Sequence, residues 1–170
     1  MKGYKHKMRD VRVSGGFTLI EVLISILLVG IAVVSLVAAS NSFTVSNSAG
    51  TNLSTAEFLI EQIRELTILL PVIDPQGGIA TFGSEEGTTL ANYDDLDDFD
   101  GKTFSPPISS DRVTLNDFTG FSQQVTVKNV SATDFEQVVS DHTSDFVKVT
   151  VKVFLNSDEI SSCSWIRARY

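Results

Sequence analysis

The sequence predicts an α+β architecture: one long N-terminal helix whose second half packs on a small antiparallel sheet of three or four strands. Three patterns predict it. Residues 22–39 read VLISILLVGIAVVSLVAA without one charge. Residues 53–70 place apolar side chains at spacings of three and four, the period of an amphipathic helix. Residues 146–155 alternate apolar and polar, the period of a half-buried strand.

The apolar block lies at the lower end of the roughly 17–25 residues that cross a bilayer's hydrocarbon core as a helix. Phe17-Thr18-Leu19-Ile20 extend it at the front, interrupted by Glu21. Lys2, Lys5, Lys7, Arg9 and Arg12 all precede Gly16, against one acid there, Asp10. Few basic residues follow for a long way, so the positive-inside rule puts the N-terminus in the cytoplasm and the rest outside. A secretory signal peptide would be cut after its apolar core, at Val37-Ala38-Ala39, but this core is longer than a usual signal. A plain single-pass anchor fits the hydropathy and leaves Glu21 unexplained. A carboxylate inside an apolar helix costs about 2.5–3.5 kcal/mol on insertion scales, so it is expected to have a partner or a function. A buried soluble helix would not need the basic leader.

Gly16-Phe17-Thr18-Leu19-Ile20-Glu21-Val22 resembles the cleavage and methylation signature of type IV pilins and type II secretion pseudopilins. The resemblance implies that a prepilin peptidase cuts between Gly16 and Phe17 and methylates the new amine of Phe17. It also implies a bacterial inner-membrane subunit that joins other pilins or pseudopilins through its N-terminal helix, on an inner-membrane assembly platform. Cutting ahead of the apolar run keeps the helix as an anchor and creates a cationic amine one turn from Glu21. In a low-dielectric bundle the two charges would neutralise each other. The family favours a pair between neighbouring subunits, with Glu21 setting the axial stagger.

Four regions follow: a leader at 1–16, a membrane or filament-core helix at 17–40, an amphipathic second half at 41–71, and a head at 72–170. If 17–70 is one helix it spans about 80 Å at 1.5 Å per residue. Asn41, Asn47, Gly50 and Asn52 are weak helix formers, and a break at 47–50 is expected there, with Ser54 or Thr55 capping the second segment. Its apolar stripe is Leu53, Ala56, Leu59 or Ile60, Ile63, Leu66 and Leu70. Glu57, Glu61, Arg64 and Glu65 lie largely opposite, and Pro71 ends the helix.

The segment 72–112 loses periodicity, and its acidic part, 85–101, crowds Asp94, Asp95, Asp97, Asp98 and Asp100 into seven positions. Such neighbours repel, so they are tolerated by a cation or by full solvation. A hard cation with oxygen ligands, calcium, is one reading; a solvated acidic loop is the other. The spacing is not an EF-hand, since registers from Asp95 or Asp98 meet Phe99 or Lys102 at the fifth position. Tyr93 and Phe99 suggest that the segment packs on the head. The run from Tyr93 to Gly101, followed by Ser-Pro-Pro, resembles a segment of certain minor pilins.

In the C-terminal part, strands are expected at 146–155, at 160–169 after a turn at Asn156-Ser157-Asp158-Glu159, and at 121–130, with a short fourth at 113–117. Phe154 breaks the alternation. Only the stripe at 53–70 is long enough to cover the sheet's apolar face. Cys163 is the single cysteine, so no intrachain disulfide is available, unlike in many pilins. Its place in an apparent strand favours a small core residue over a reactive thiol. Trp165 and Tyr170 read either as core or as filament contacts.

The net charge is −8, and removing the leader leaves the rest more acidic. Nucleic acid is therefore not an expected partner, because phosphate binding needs clustered Lys and Arg. No nucleophile, base and orienting group come together, and His142 is the one histidine after the leader. The chain reads as no enzyme. Minor type IV pilin is the first reading, on the 93–101 run, with type II secretion pseudopilin the alternative. A single-pass anchored surface binding module is the third.

Overall fold

The computed structural model describes residues 15–72, 74, 82, 83, 87 and 89–169. The basic leader before Gly15, the glutamates at 85 and 86, and Tyr170 fall outside them. The described residues form one long helix, α1 (Leu19–Thr67), then a four-stranded antiparallel sheet: β1 (Thr103–Phe104), β2 (Phe121–Asn129), β3 (Phe146–Leu155) and β4 (Asp158–Ala168). The strands pair in chain order, β1-β2-β3-β4. This is the α+β arrangement expected from the periodicities, with the head's part of the helix packed on the sheet. The chain divides into two compact units, Met1–Ser46 and Asn47–Tyr170.

In the first unit every described residue is exposed. Leu23, Ile26, Leu27, Ile31, Val34 and Leu36 leave more than half their surface open. A helix apolar on all sides suits a lipid or protein surround, not water. Two of its hydroxyls bond one turn back within the helix. Ser25 Oγ donates to the Glu21 carbonyl at 2.7 Å, and Ser35 Oγ to the Ile31 carbonyl at 2.9 Å. Such bonds one turn back keep a hydroxyl tolerable where no water is available.

Positions 47–50 are helical and 54–55 lie inside α1, so the expected break and its cap are absent. Thr51 Oγ1 donates to the Asn47 carbonyl and Thr55 Oγ1 to the Thr51 carbonyl. The hydroxyl expected to start a helix thus bonds one turn back within a continuing one. The helix stops at Thr67, three residues before Leu70. There Thr67 Oγ1 bonds the carbonyls of Ile63 and Arg64, and the Arg167 guanidinium donates to the carbonyls of Thr67 at 2.8 Å and Leu70 at 3.1 Å. Arg167 supplies donors and positive charge where the helix end lacks both.

Ala56, Leu59, Ile60, Ile63 and Leu66 are buried on the sheet, while Leu53 remains 44% exposed. Opposite them stand Val125 and Val127 of β2 and Val147, Val149, Val151 and Val153 of β3, all essentially fully buried. Val125 faces Val151 and Val127 faces Val149. A register shift between Val153 and Phe154 leaves Ile160 of β4 unpaired, and Phe154 stays in the strand's half-buried outward phase, so it is an apolar residue on the polar face. The hairpin turn is tighter than expected: Asn156 and Ser157 alone carry positive φ (50° and 78°). This is the two-residue geometry that matches strand twist, so Asp158 and Glu159 already belong to β4. The expected strand at 113–117 does not form. Thr114 makes an isolated bridge to Ile108, and the fourth strand is the two-residue β1, pairing Thr103 with Gln124 and Phe104 with Gln123. Cys163 and Trp165 pack against the core from partly buried positions.

Gln123 is an amide in this interior row, fully buried. Its Nε2 donates to the Leu59 carbonyl at 2.8 Å and the Ile108 carbonyl at 3.1 Å. Its Oε1 accepts the Ile108 N–H at 2.8 Å. One side chain therefore joins helix, sheet and the segment between them.

Candidate processing and assembly site, and an acidic cluster

Gly15, Gly16, Phe17 and Thr18 precede the helix and are exposed, Phe17 to 82%. A Cβ placed on Gly15 or Gly16 would meet nothing within 4 Å. The Gly16–Phe17 peptide thus lies in non-helical, uncrowded chain directly ahead of the apolar helix, as a peptide that a protease must reach has to lie.

Thr18 begins the helix. Its Oγ1 accepts the Glu21 N–H at 3.3 Å, and its carbonyl accepts the N–H groups of Glu21 at 3.1 Å and Val22 at 3.2 Å. This is an N-cap with Glu21 at the third helical position, the spacing of a capping box. The sequence reading did not use Thr18, although Thr-x-x-Glu ahead of an apolar run is its signal. Glu21 also stands in the first turn, where the helix dipole favours negative charge. The carboxylate that would meet a Phe17 amine is therefore stabilised by the helix that carries it.

The five aspartates of the acidic segment have separate roles. Short 3₁₀ turns at Leu90–Asn92 and Asp97–Phe99 shape the segment. Tyr93 and Phe99 are buried edge to face at 5.2 Å, so the segment does pack on the head. Asp98 Oδ2 accepts the N–H groups of Asp94 at 2.9 Å and Asp95 at 3.4 Å. Asp97 Oδ2 accepts the Gly83 N–H at 3.2 Å. Asp100 binds the Lys128 ammonium at 2.7 Å and the Val127 N–H at 2.8 Å, fastening the segment to β2. Arg112, at a φ of 63°, donates to the carbonyls of Leu90, Ala91 and Tyr93.

Asp94 and Asp95 instead meet Asp74, which the sequence reading had not singled out. One oxygen from each of the three lies within 4.8 Å of the other two. The Leu96 N–H donates to the Pro71 carbonyl at 2.9 Å, and this backbone bond brings the start of the loop against its acidic end. Asp95 is 1% exposed. Burial, then a hydrogen bond and repulsion from Asp97, push its carboxyl up to about 8. Two carboxyl groups bond to each other only when one keeps a proton.

The described geometry defines an α+β head carried on a helix with an apolar segment long enough to cross a membrane. Residues 11–37 match the family model of the prokaryotic N-terminal methylation motif, the prepilin signature of type IV pilins and pseudopilins. Over these residues the chain is type IV pilin- or pseudopilin-like. The signature implies processing by a prepilin peptidase and assembly with other pilins. Motif and helix together fit a single-pass protein anchored in the inner membrane. No curated protein and no solved structure matches the chain.

Proposed function

We propose that this chain is a minor type IV pilin. It inserts in the bacterial inner membrane with its N-terminus in the cytoplasm and its head outside. Prepilin peptidase removes residues 1–16 by cutting between Gly16 and Phe17 and methylates the Phe17 amine. The subunit then enters or primes a pilus, and Glu21 pairs with the Phe17 amine of a neighbour. The observation that carries the filament-subunit part of this reading is the methylation-motif match over residues 11–37, supported by a helix apolar on all sides with Glu21 in its first turn; the acidic run from Tyr93 to Gly101 favours the minor pilin.

The pseudopilin reading shares every one of these steps and differs only in the filament joined. The test is to shear surface filaments from cells expressing a tagged chain and to blot the sheared fraction and the membranes. The chain is expected in the sheared pilus fraction, and Glu21→Ala is expected to remain in the membrane. A wild-type chain confined to a type II secretion pseudopilus would decide for the pseudopilin. A chain found in neither filament would contradict both.

A further inference from the structure

We propose that the outer edge of β4, with the groove beside it, takes an extended segment of a partner chain as an added strand. That segment carries an apolar side chain and a Lys or Arg on its groove-facing side. β4 is 11 residues long and stands last in the strand order β1-β2-β3-β4. Among the described residues its backbone pairs with β3 alone. The opposite edge of the sheet is closed. There β1 is two residues long, the Lys102 carbonyl accepts the Val125 N–H at 2.9 Å, and Asp100 Oδ1 accepts the Val127 N–H at 2.8 Å. Edge strands are ordinarily blunted by charge, proline, a bulge or shortness. The irregularity in β4 lies at Ile160, and from Ser161 to Ala168 it pairs with β3 without interruption. From Ile160 to Ile166 it has neither charge nor proline. Its outward N–H and C=O groups are a template for one more strand.

The groove selects the strand. α1 and β4 flank a space of about 560 Å³, lined by Glu57, Phe58 and Glu61 on the helix and by Ser161 and Cys163 on the strand. Ser161 lies opposite Val153 and Cys163 opposite Val151, so both are on the helix-covered face of the sheet. Every second side chain of an added strand would enter this groove. Phe58, 46% exposed, gives an apolar side chain something to pack on. Glu57 and Glu61 are exposed on the same wall. Glu61 has Arg64 at 3.3 Å, whereas Glu57 has no ion pair among the described residues. A cation beside Phe58 complements that charge, and an acid there is repelled. A second copy's β4 does not meet the requirement. Its one cation on this face is Arg167, which already holds the carbonyls of Thr67 and Leu70. In strand addition the main-chain bonds give affinity and the pockets give specificity. The surface does not depend on which filament the chain joins.

The test uses the full chain in detergent micelles and an end-blocked peptide, Thr-Val-Thr-Lys-Thr-Val-Thr, whose Val, Lys and Val share one face. Calorimetry and Trp165 fluorescence follow binding, and one peptide per chain is expected. Alternate N–H groups of an extended strand point to opposite edges. N-methylating one alternate set of residues should therefore abolish binding, and N-methylating the other set should leave it intact. Replacing the peptide's Lys by Glu should weaken binding about fivefold, the upper range for an exposed ion pair. Glu57→Lys, at an exposed helix position, should reverse that preference. Failure of the unmethylated peptide to bind, equal binding of the two methylated peptides, or a preference unmoved by Glu57→Lys would each overturn the proposal. So would a Cys163–Cys163 cross-link formed on oxidation without peptide, which would assign the edge to a second copy.

Discussion

The hydroxyl of Thr18 accepts the amide proton of Glu21 at 3.3 Å, so the residue read as the assembly charge is also the third residue of a capped helix. The cap uses the backbone of Glu21, whereas assembly would use its carboxylate, and substitutions separate the two. Thr18→Ala should cost the helix end about 0.5–2 kcal/mol and leave incorporation into filaments largely intact. Glu21→Ala should insert and be processed normally but be lost from the sheared filament fraction. Equal incorporation of both variants would remove the assembly role from Glu21.

Gln123 offers a test of the head's internal framework. Gln123→Leu keeps the volume but strands the N–H and carbonyl of Ile108 and takes the second donor from the Leu59 carbonyl, all in buried surroundings. A loss of about 1–3 kcal/mol is expected for a buried group left unsatisfied. Chemical denaturation of the full chain in detergent, followed by Trp165 fluorescence, measures it. A variant as stable as the wild type would show that the amide does not hold helix to sheet.

Arg167 closes the other end of α1. Arg167→Ala removes two charge-assisted bonds to the carbonyls of Thr67 and Leu70, and about 1.5–3 kcal/mol is expected to go with them. Amide exchange at the last turn of α1 should quicken more than exchange in β3. Uniform quickening would indicate a global effect instead of a lost cap.

Asp95 gives the head a pH dependence whose sign is fixed. Its carboxyl is raised to about 8 in the fold, whereas an unfolded aspartate titrates near about 4. Below about 4 both states hold the proton and the group is neutral to stability. As pH rises towards 8 the unfolded chain releases its proton while the folded chain retains it, so stability falls across that window. The wild type should be less stable at pH 8 than at pH 5, and Asp95→Asn should flatten the decline. An unchanged slope in the variant would place the pH dependence elsewhere.

The parts of the fold legible in the sequence were those with a period. The apolar run, the stripe from Ala56 to Leu66 and the alternation through Val147, Val149, Val151 and Val153 each repeat often enough to specify an element. The β3–β4 hairpin could be read too, though its turn proved to be Asn156 and Ser157 alone. What escaped lacks a period. β1 is two residues long and is defined only by its partner β2. The expected break at 47–50 rested on Asn and Gly propensities, which are weak priors that context overrides. Asp74 joins Asp94 and Asp95 through a long-range backbone bond, and nothing local announces it. Thr18 was legible by its capping spacing, but the cleavage motif overlapping it drew the reading first.

Everything proposed for the filament rests on where the mature chain begins. Mass spectrometry of the chain isolated from membranes, with fragmentation of its N-terminal peptide, measures this directly. The account predicts a mature protein starting at an N-methylated Phe17, with residues 1–16 gone. An intact N-terminus, or a cut after Ala39, would contradict it.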